Sequence, residues 1–139
     1  MAEFETKQTI GPNQEKWLKA LESGEFKQGM ENLQSINDQA CCCLGVACRI
    51  FELPVKEFNV QGSTSVYSFG KQLERQYAPP EIIELLGLYD KCGDVRGFHE
   101  IEEFSGRRTL VGANDDAIPF TDIAAAIRKH PHQFFRSPR

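Results

Sequence analysis

Five cysteines, three histidines and a run of clustered cations are the residues here with chemistry to offer. Four of the cysteines lie in residues 40–53, ACCCLGVACRIFEL, a stretch that is apolar almost throughout. Cysteine ligands for a structural zinc normally come in C-x2–4-C pairs that converge on one tetrahedral centre. Cys43 and Cys48 are five apart, about 140° around a helix, and Cys41 and Cys48 lie roughly 10 Å apart along it. Neither pair can share an ion while the segment stays helical, so no metal and no cofactor is expected. A thiolate nucleophile is the other chemistry, since a helix N-terminus lowers the pKa of Cys41, Cys42 or Cys43. It needs His99, His130 or His132 within hydrogen-bond reach, and no local spacing enforces that. The expectation is buried core thiols and no catalytic residue, because free cysteine is among the most buried residue types.

Two acidic turns, Asn114-Asp115-Asp116 and Asp90-x-x-Gly93-Asp94, lack the alternating oxygen ligands of a calcium loop. Asn and Asp bond to nearby backbone and suit turns, which is the simpler reading. Arg107, Arg108, Arg128, Lys129 and Arg136, with Arg139, His130 and His132, make a basic patch interleaved with Phe134 and Phe135. Cations and rings in that mixture can face phosphate or a base. The competing reading is a helix end followed by a tail, residues 131–139, whose phenylalanines dock on the core.

These groups must be held by a small set of elements. Asn13 is a plausible cap for a helix through Glu22, with Trp17, Leu18 and Leu21 inward and Gly24 ending it. A second helix, over 42–53 and stopped by Pro54, places Cys41, Leu44, Cys48 and Phe51 on one face. Gly45 inside it marks a close helix crossing. Pro79-Pro80-Glu81 starts a third helix that Gly87 and Leu88 end. The last runs over 120–129 with Phe120, Ile123, Ala124 and Ile127 on its inner stripe. Residues 25–39 are polar, with short strands around Phe26 and 33–36 or only loop. Residues 58–70 read as a hairpin or extended loop, and 95–101 with 107–111 as a second hairpin. Residues 1–12 are a flexible or edge-strand arm. The expected fold is α+β: a compact single domain over 1–139, about four helices around a buried Cys-rich central helix, with one or two small antiparallel hairpins.

The chain has 139 residues, 40% of them hydrophobic and 26% charged, which are globular proportions. The net charge of −4 works against nonspecific nucleic-acid binding. No apolar run approaches the roughly 20 residues needed to span a bilayer, and the first residues are acidic rather than leader-like. Free thiols fit a reducing cytoplasm.

Four blocks together resemble a family of small, uncharacterised proteins encoded by tailed bacteriophages and prophages. They are Trp17-x-x-Ala20-Leu21-x-Ser23-Gly24-x-Phe26-x-Gln28; Cys42-Cys43-Leu44-Gly45-Val46-x-Cys48; Pro79-Pro80-Glu81 through Leu86-Gly87-Leu88 into Gly93-Asp94; and Asn114-Asp115 with Phe120-x-x-Ile123-Ala124. Cys41 stands where an aromatic is usual in that family, and Pro119 where a serine-like cap is. The resemblance implies a phage-type accessory protein acting in a bacterial host cytoplasm, and supplies no catalytic residues. The expected function is therefore non-enzymatic: binding a host or phage protein, or a sibling copy, and modulating a host process such as defence. The contact surface is expected in residues 25–39 or in the 62–70 loop. The alternative is a binder, or sponge, for a phosphorylated nucleotide-like small molecule held by the basic residues named above. A small thiol- or metal-dependent enzyme comes third. Neither a membrane nor a nucleic-acid partner is expected.

Overall fold

Pro12 opens the first helix, α1 (Pro12–Glu22), because its fixed φ and missing N–H suit a first helical position. Gly11, in extended conformation, is the cap, and its own N–H donates to the Gln14 side chain at 2.8 Å. Asn13 is thus inside the helix rather than capping it, and its side chain reaches the Leu85 carbonyl at 3.3 Å. Trp17, Leu18 and Leu21 are buried as their spacing requires, and Gly24 ends the helix at φ +78°. The computed structural model describes residues 9–59, 65–97 and 99–139. The first eight residues of the expected N-terminal arm, and residues 60–64 of the central hairpin, lie outside that set.

Residues 25–41 form neither helix nor regular strand but a ribbon held by single bridges. Gln28 runs alongside Cys41, Cys41 alongside Gln34, and Ser35 alongside Val66. Leu33 is buried in the middle, with its N–H on the Arg75 carbonyl and its carbonyl on the Cys42 N–H. The second helix, α2 (Cys43–Ile50), begins only after this ribbon. Cys41 therefore belongs to the ribbon, Cys42 is the extended cap, and only Cys43 is helical. The expected face of Cys41, Leu44, Cys48 and Phe51 is not formed. The helix also stops three residues short of the expected Leu53. The Leu53 N–H returns to the Cys48 carbonyl and the Glu52 N–H to Arg49, with Glu52 left-handed at φ +55°. This is a Schellman end with a non-glycine in its αL position, and it turns the chain before Pro54 excludes helical geometry at Leu53. What crosses Gly45 is the ribbon, not another helix: a Cβ there would fall onto the Leu33 carbonyl oxygen.

A hairpin follows, β1 (Val55–Phe58) and β2 (Val66–Phe69), antiparallel with Val55 opposite Phe69 and Phe58 opposite Val66. The other side of β2 is occupied, because Tyr67 N–H donates to Gln34 and Phe69 exchanges two bonds with Glu74. β2 is therefore mostly buried while every residue of β1 is exposed.

α3 (Pro80–Leu86) starts at the paired prolines and ends at Gly87, φ +70°, with Leu88 N–H on the Ile83 carbonyl. Among the described residues the second expected hairpin is not formed. Glu102–Phe104 is a 3-10 turn and α4 (Leu110–Asp115) is a helix. Thr109 decides this locally: its hydroxyl accepts the Gly112 N–H at 2.8 Å, a helix cap that a strand has no use for. Leu110 and Ala113 then face the core, one helical turn apart. A single bridge between Asp94 and Thr109 is what remains of strand pairing there.

α5 (Phe120–Lys129) has the expected bounds and inner stripe. Pro131 stops it but seeds a further turn, α6 (Pro131–Phe134). Phe134 packs edge-on against Phe104 at 5.5 Å, and Phe135 against Trp17 at 6.3 Å. Beyond them residues 136–139 strap across the C-terminus of α3 to the start of α1. Gln14 reads both, donating to the Leu86 and Ser137 carbonyls at 2.8 Å each. The result is an α+β domain with the cysteine helix at its centre, carrying six α-helices and one two-stranded hairpin among the described residues. Among those residues no helix is long and apolar enough to cross a membrane.

Candidate functional site

The cysteines are spread by local structure before packing acts on them. Ribbon, cap and helix place Cys41, Cys42 and Cys43 in three different backbone settings, and all three are buried, as is Cys48. Burial pushes the Cys41 thiol up to about 12, with the neighbouring Cys42 adding to it. It pushes Cys42 up to about 11, although the N–H groups of Gly45 and Leu44 pull the other way. The same desolvation raises Cys43 and Cys48 as well. These sulfurs are neutral thiols at physiological pH, and the Cys43 thiol donates weakly to the Leu110 carbonyl at 3.8 Å. Among the described residues, no three His, Cys, Asp or Glu side chains are placed to hold a metal ion. In native protein, a limiting amount of a thiol reagent should label Cys92, the one partly exposed cysteine, and leave the other four until denaturant is added. Mass mapping of the labelled peptides checks this; fast labelling at Cys42 would contradict the burial.

The histidines sit elsewhere. His99 and His130 stack on each other, ring centres 6.0 Å apart. Partial burial lowers the His130 pKa first, and the charge of His99 lowers it further against the pull of Glu103. A histidine depressed on folding stabilises the protein fully above its ordinary value of 6.5, and that contribution is lost as pH falls through the folded value. Urea midpoints should therefore drop on the acid side of pH 6.5, with a shallower slope in His130→Gln.

Each arginine and lysine singled out from the sequence has a protein acceptor. Arg107 pairs with Asp116 at 3.2 Å, and Arg108 donates to the carbonyls of Val95 and Gly97. Arg128 grips Glu15 with two nitrogens, at 2.9 and 2.8 Å, and Glu22 with a third at 2.7 Å. It thereby clamps α5 to α1, and its hydrogen bonds hold Glu15 below the usual carboxylate range. Lys129 pairs with Glu103 at 2.9 Å. Arg136 donates to the Leu88 carbonyl at 2.9 Å, and Arg139 to that of Glu84 at 2.7 Å. The last two serve the C-terminal end of α3, where the helix dipole favours cations. Phe134 and Phe135 are fully buried. The structure thus distributes these residues over separate contacts and does not turn them toward one site.

The two acidic motifs divide. Asp90 accepts the N–H groups of Cys92 and Asp94, the expected turn. Asn114 is instead helical, fully buried and shared by three segments. Its oxygen accepts the Cys43 N–H and the Gln28 amide, both at 3.1 Å, and its amide donates to the Gly29 carbonyl at 2.7 Å. Gln28 continues to the Ile118 carbonyl and the Phe120 N–H. Three of the four sequence blocks therefore meet at one hydrogen-bonded hub beneath the start of α2. Sequence reading placed Asn114 in a turn and passed over Gln28; only their shared membership of those blocks pointed here.

Among the described residues, four large apolar side chains are left outward. Met30, Val55, Phe58 and Leu73 are 52%, 39%, 42% and 46% exposed. Three of them surround the hairpin. Phe58 carries the Arg75 guanidinium 4.2 Å above its ring. Leu73 sits left-handed, φ +56°, in a turn fastened by the Lys71 N–H to Glu81 at 2.9 Å. A cleft of about 100 Å³ lies away from the hairpin, between Glu31, Tyr77 and Asp115. Two exposed acids line it, and the Asp115 carboxylate is engaged by the Glu31 N–H at 2.8 Å. The hairpin and the 70–73 turn are therefore the candidate site, on rigid supports.

A family model described as Domain of unknown function (DUF8296) matches residues 7–131. No curated protein and no solved structure matches the chain.

Proposed function

The chain belongs to the DUF8296 family of domains of unknown function, and from that premise we propose that it is a non-enzymatic, phage-type accessory protein that binds a host or partner protein and alters a host process, defence included. The observation that carries this is the outward-facing apolar set, Val55, Phe58 and Leu73, on a hairpin whose inner strand is locked into the core. Exposed apolar residues that gather within a polar rim mark protein contacts, whereas single scattered ones do not. Rigidly held ones give affinity at low entropic cost.

The family blocks support the same reading. Gln28, Cys43 and Asn114 act on one another, holding α2 to α4, so what the blocks share is architecture rather than a reactive centre. The reading also draws on the phage resemblance for the setting, a bacterial host cytoplasm. A nucleotide-binding alternative would require Arg107, Arg108, Arg128, Lys129 and Arg136 to leave their present acceptors. Nothing in their geometry favours that.

The test is affinity capture from bacterial lysate with the tagged full chain. A partner should be enriched by wild type and lost with the double change Val55→Ser and Leu73→Ser, both at exposed positions. Wild type enriching nothing across host strains would sink the proposal.

A further inference from the structure

The hairpin has a parity that decides what can pair with it. The Gly70 N–H bonds to the Pro54 carbonyl, so even-numbered residues of β1 face β2 with their main-chain groups. Tyr67 and Phe69, opposite Glu57 and Val55, bond away from β1, which confirms the alternation. The N–H and C=O groups of Val55 and Glu57 therefore point off the free edge of the sheet, and among the described residues neither has a hydrogen-bond partner. An unpaired edge of this kind is a template for one more strand.

In the two registers that overlap β1 most, a second copy opposes like charges. Two copies meeting antiparallel through the same edge must place odd residues opposite odd ones. Pairing Val55 with Glu57 of the copy sets Lys56 directly across from its own equivalent. Pairing Glu57 with its equivalent opposes two carboxylates. Like charges directly opposite are destabilising. A free peptide has no occupied side and escapes this parity. Its best antiparallel match to Val55-Lys56-Glu57-Phe58 is an apolar, a basic, an acidic and an apolar residue in that order. The basic residue then faces Glu57 and the acidic one faces Lys56.

We propose that β1 is the docking edge for an extended segment of a partner protein, of the pattern apolar–basic–acidic–apolar, added antiparallel through Val55 and Glu57. This rests on the reading that the protein works by binding another protein, and names the surface and the partner's chemistry. The exposed side chains of Val55 and Phe58 flank the incoming strand at its two ends.

The probe is a blocked hexapeptide, Thr-Val-Arg-Glu-Val-Thr, titrated into isotope-labelled full-length protein by NMR. The amide signals of Val55 and Glu57 should shift most. Glu57→Pro should abolish binding while leaving the hairpin intact, because the N–H it removes makes no bond to β2 and proline is accepted on an edge. Glu57→Lys keeps the backbone and should weaken binding about fivefold, the size of a cross-strand charge pair reversed. Unshifted edge amides, or equal binding to wild type and Glu57→Pro, would overturn the edge. A partner captured from lysate equally by wild type and Glu57→Pro would also overturn it, yet leave the protein-binding reading standing. Capture of nothing by wild type strikes that reading instead.

Discussion

Gly45→Ala should destabilise the protein by about 3 kcal/mol, although alanine is the better helix former by about 1 kcal/mol. The sign of the change is the informative part. An open helical glycine would gain from the substitution. Here the Leu33 carbonyl occupies the place of the new methyl, and that carbonyl is backbone, held by the Cys42 N–H, so it cannot rotate aside. Either the ribbon lifts off α2 or the helix does. A loss of that size in a domain of this length lowers the melting temperature by about 10 °C. Calorimetry and urea unfolding check it; a neutral or stabilising result would mean that ribbon and helix do not touch at this point.

The second large effect is expected at Asn114. Its removal in Asn114→Ala strands the buried Cys43 N–H, leaves the part-buried Gly29 carbonyl without its donor and takes one partner from Gln28. Buried groups left unpaired cost about 1–3 kcal/mol each, so the loss should be about 4 kcal/mol. Asn114→Asp separates geometry from charge. The carboxylate can still accept from Cys43, but its second oxygen then opposes the Gly29 carbonyl unless it is protonated. Its folded pKa is therefore raised above the ordinary value of about 3.9. A carboxyl raised on folding gives its full contribution below that value and loses it as pH climbs through the folded one. The aspartate variant should lie closest to wild type near pH 4 and fall away toward pH 7. Denaturant midpoints across that range are the measurement, and a flat difference would show that Gly29 is not the partner.

How far the sequence carried the fold depended on where each element's partners lie. α5 was legible to the residue, because Phe120, Ile123, Ala124 and Ile127 make a stripe that only a helix places on one side. The paired prolines before Glu81 and the Gly87–Leu88 end fixed α3 in the same local way. The segment 107–111 misled because Thr109, Leu110 and Val111 suit a strand as well as a helix, and short apolar runs do not declare their period. The cysteine helix misled at both ends. Cys41 is drawn into pairing with residues 28 and 34, and Glu52 takes a left-handed geometry that composition does not announce. Burial of the cysteines, by contrast, followed from composition alone.

The candidate site was less legible. The basic residues stood out as a charge pattern, but whether a cation is free depends on acceptors as distant as Glu15, 113 residues from Arg128. The outward apolar residues were hidden for the opposite reason. Phe58 only opens the expected hairpin and Val55 lies outside it, so neither stands out until the register shows which of the two strands is left outside. Of the surfaces expected to make contact, residues 66–69 turn mostly inward as the partner strand, while 25–39 is pinned by its bridges and leaves polar side chains such as Glu25, Lys27, Asn37 and Asp38 outward.

The hub beneath α2 also governs how the protein folds and breathes. Cys43 and Asn114 are 71 residues apart, and Asn114 and Gly29 85, so the first turn of the cysteine helix is completed only after distant segments close on it. Long-range closures of this kind slow folding. They also tie the Cys43 amide to whole-molecule opening, so its proton should exchange with deuterated solvent only when the entire domain unfolds. The edge amides of Val55 and Glu57 should exchange within the dead time. One exchange experiment thus samples the two extremes of protection in a single chain.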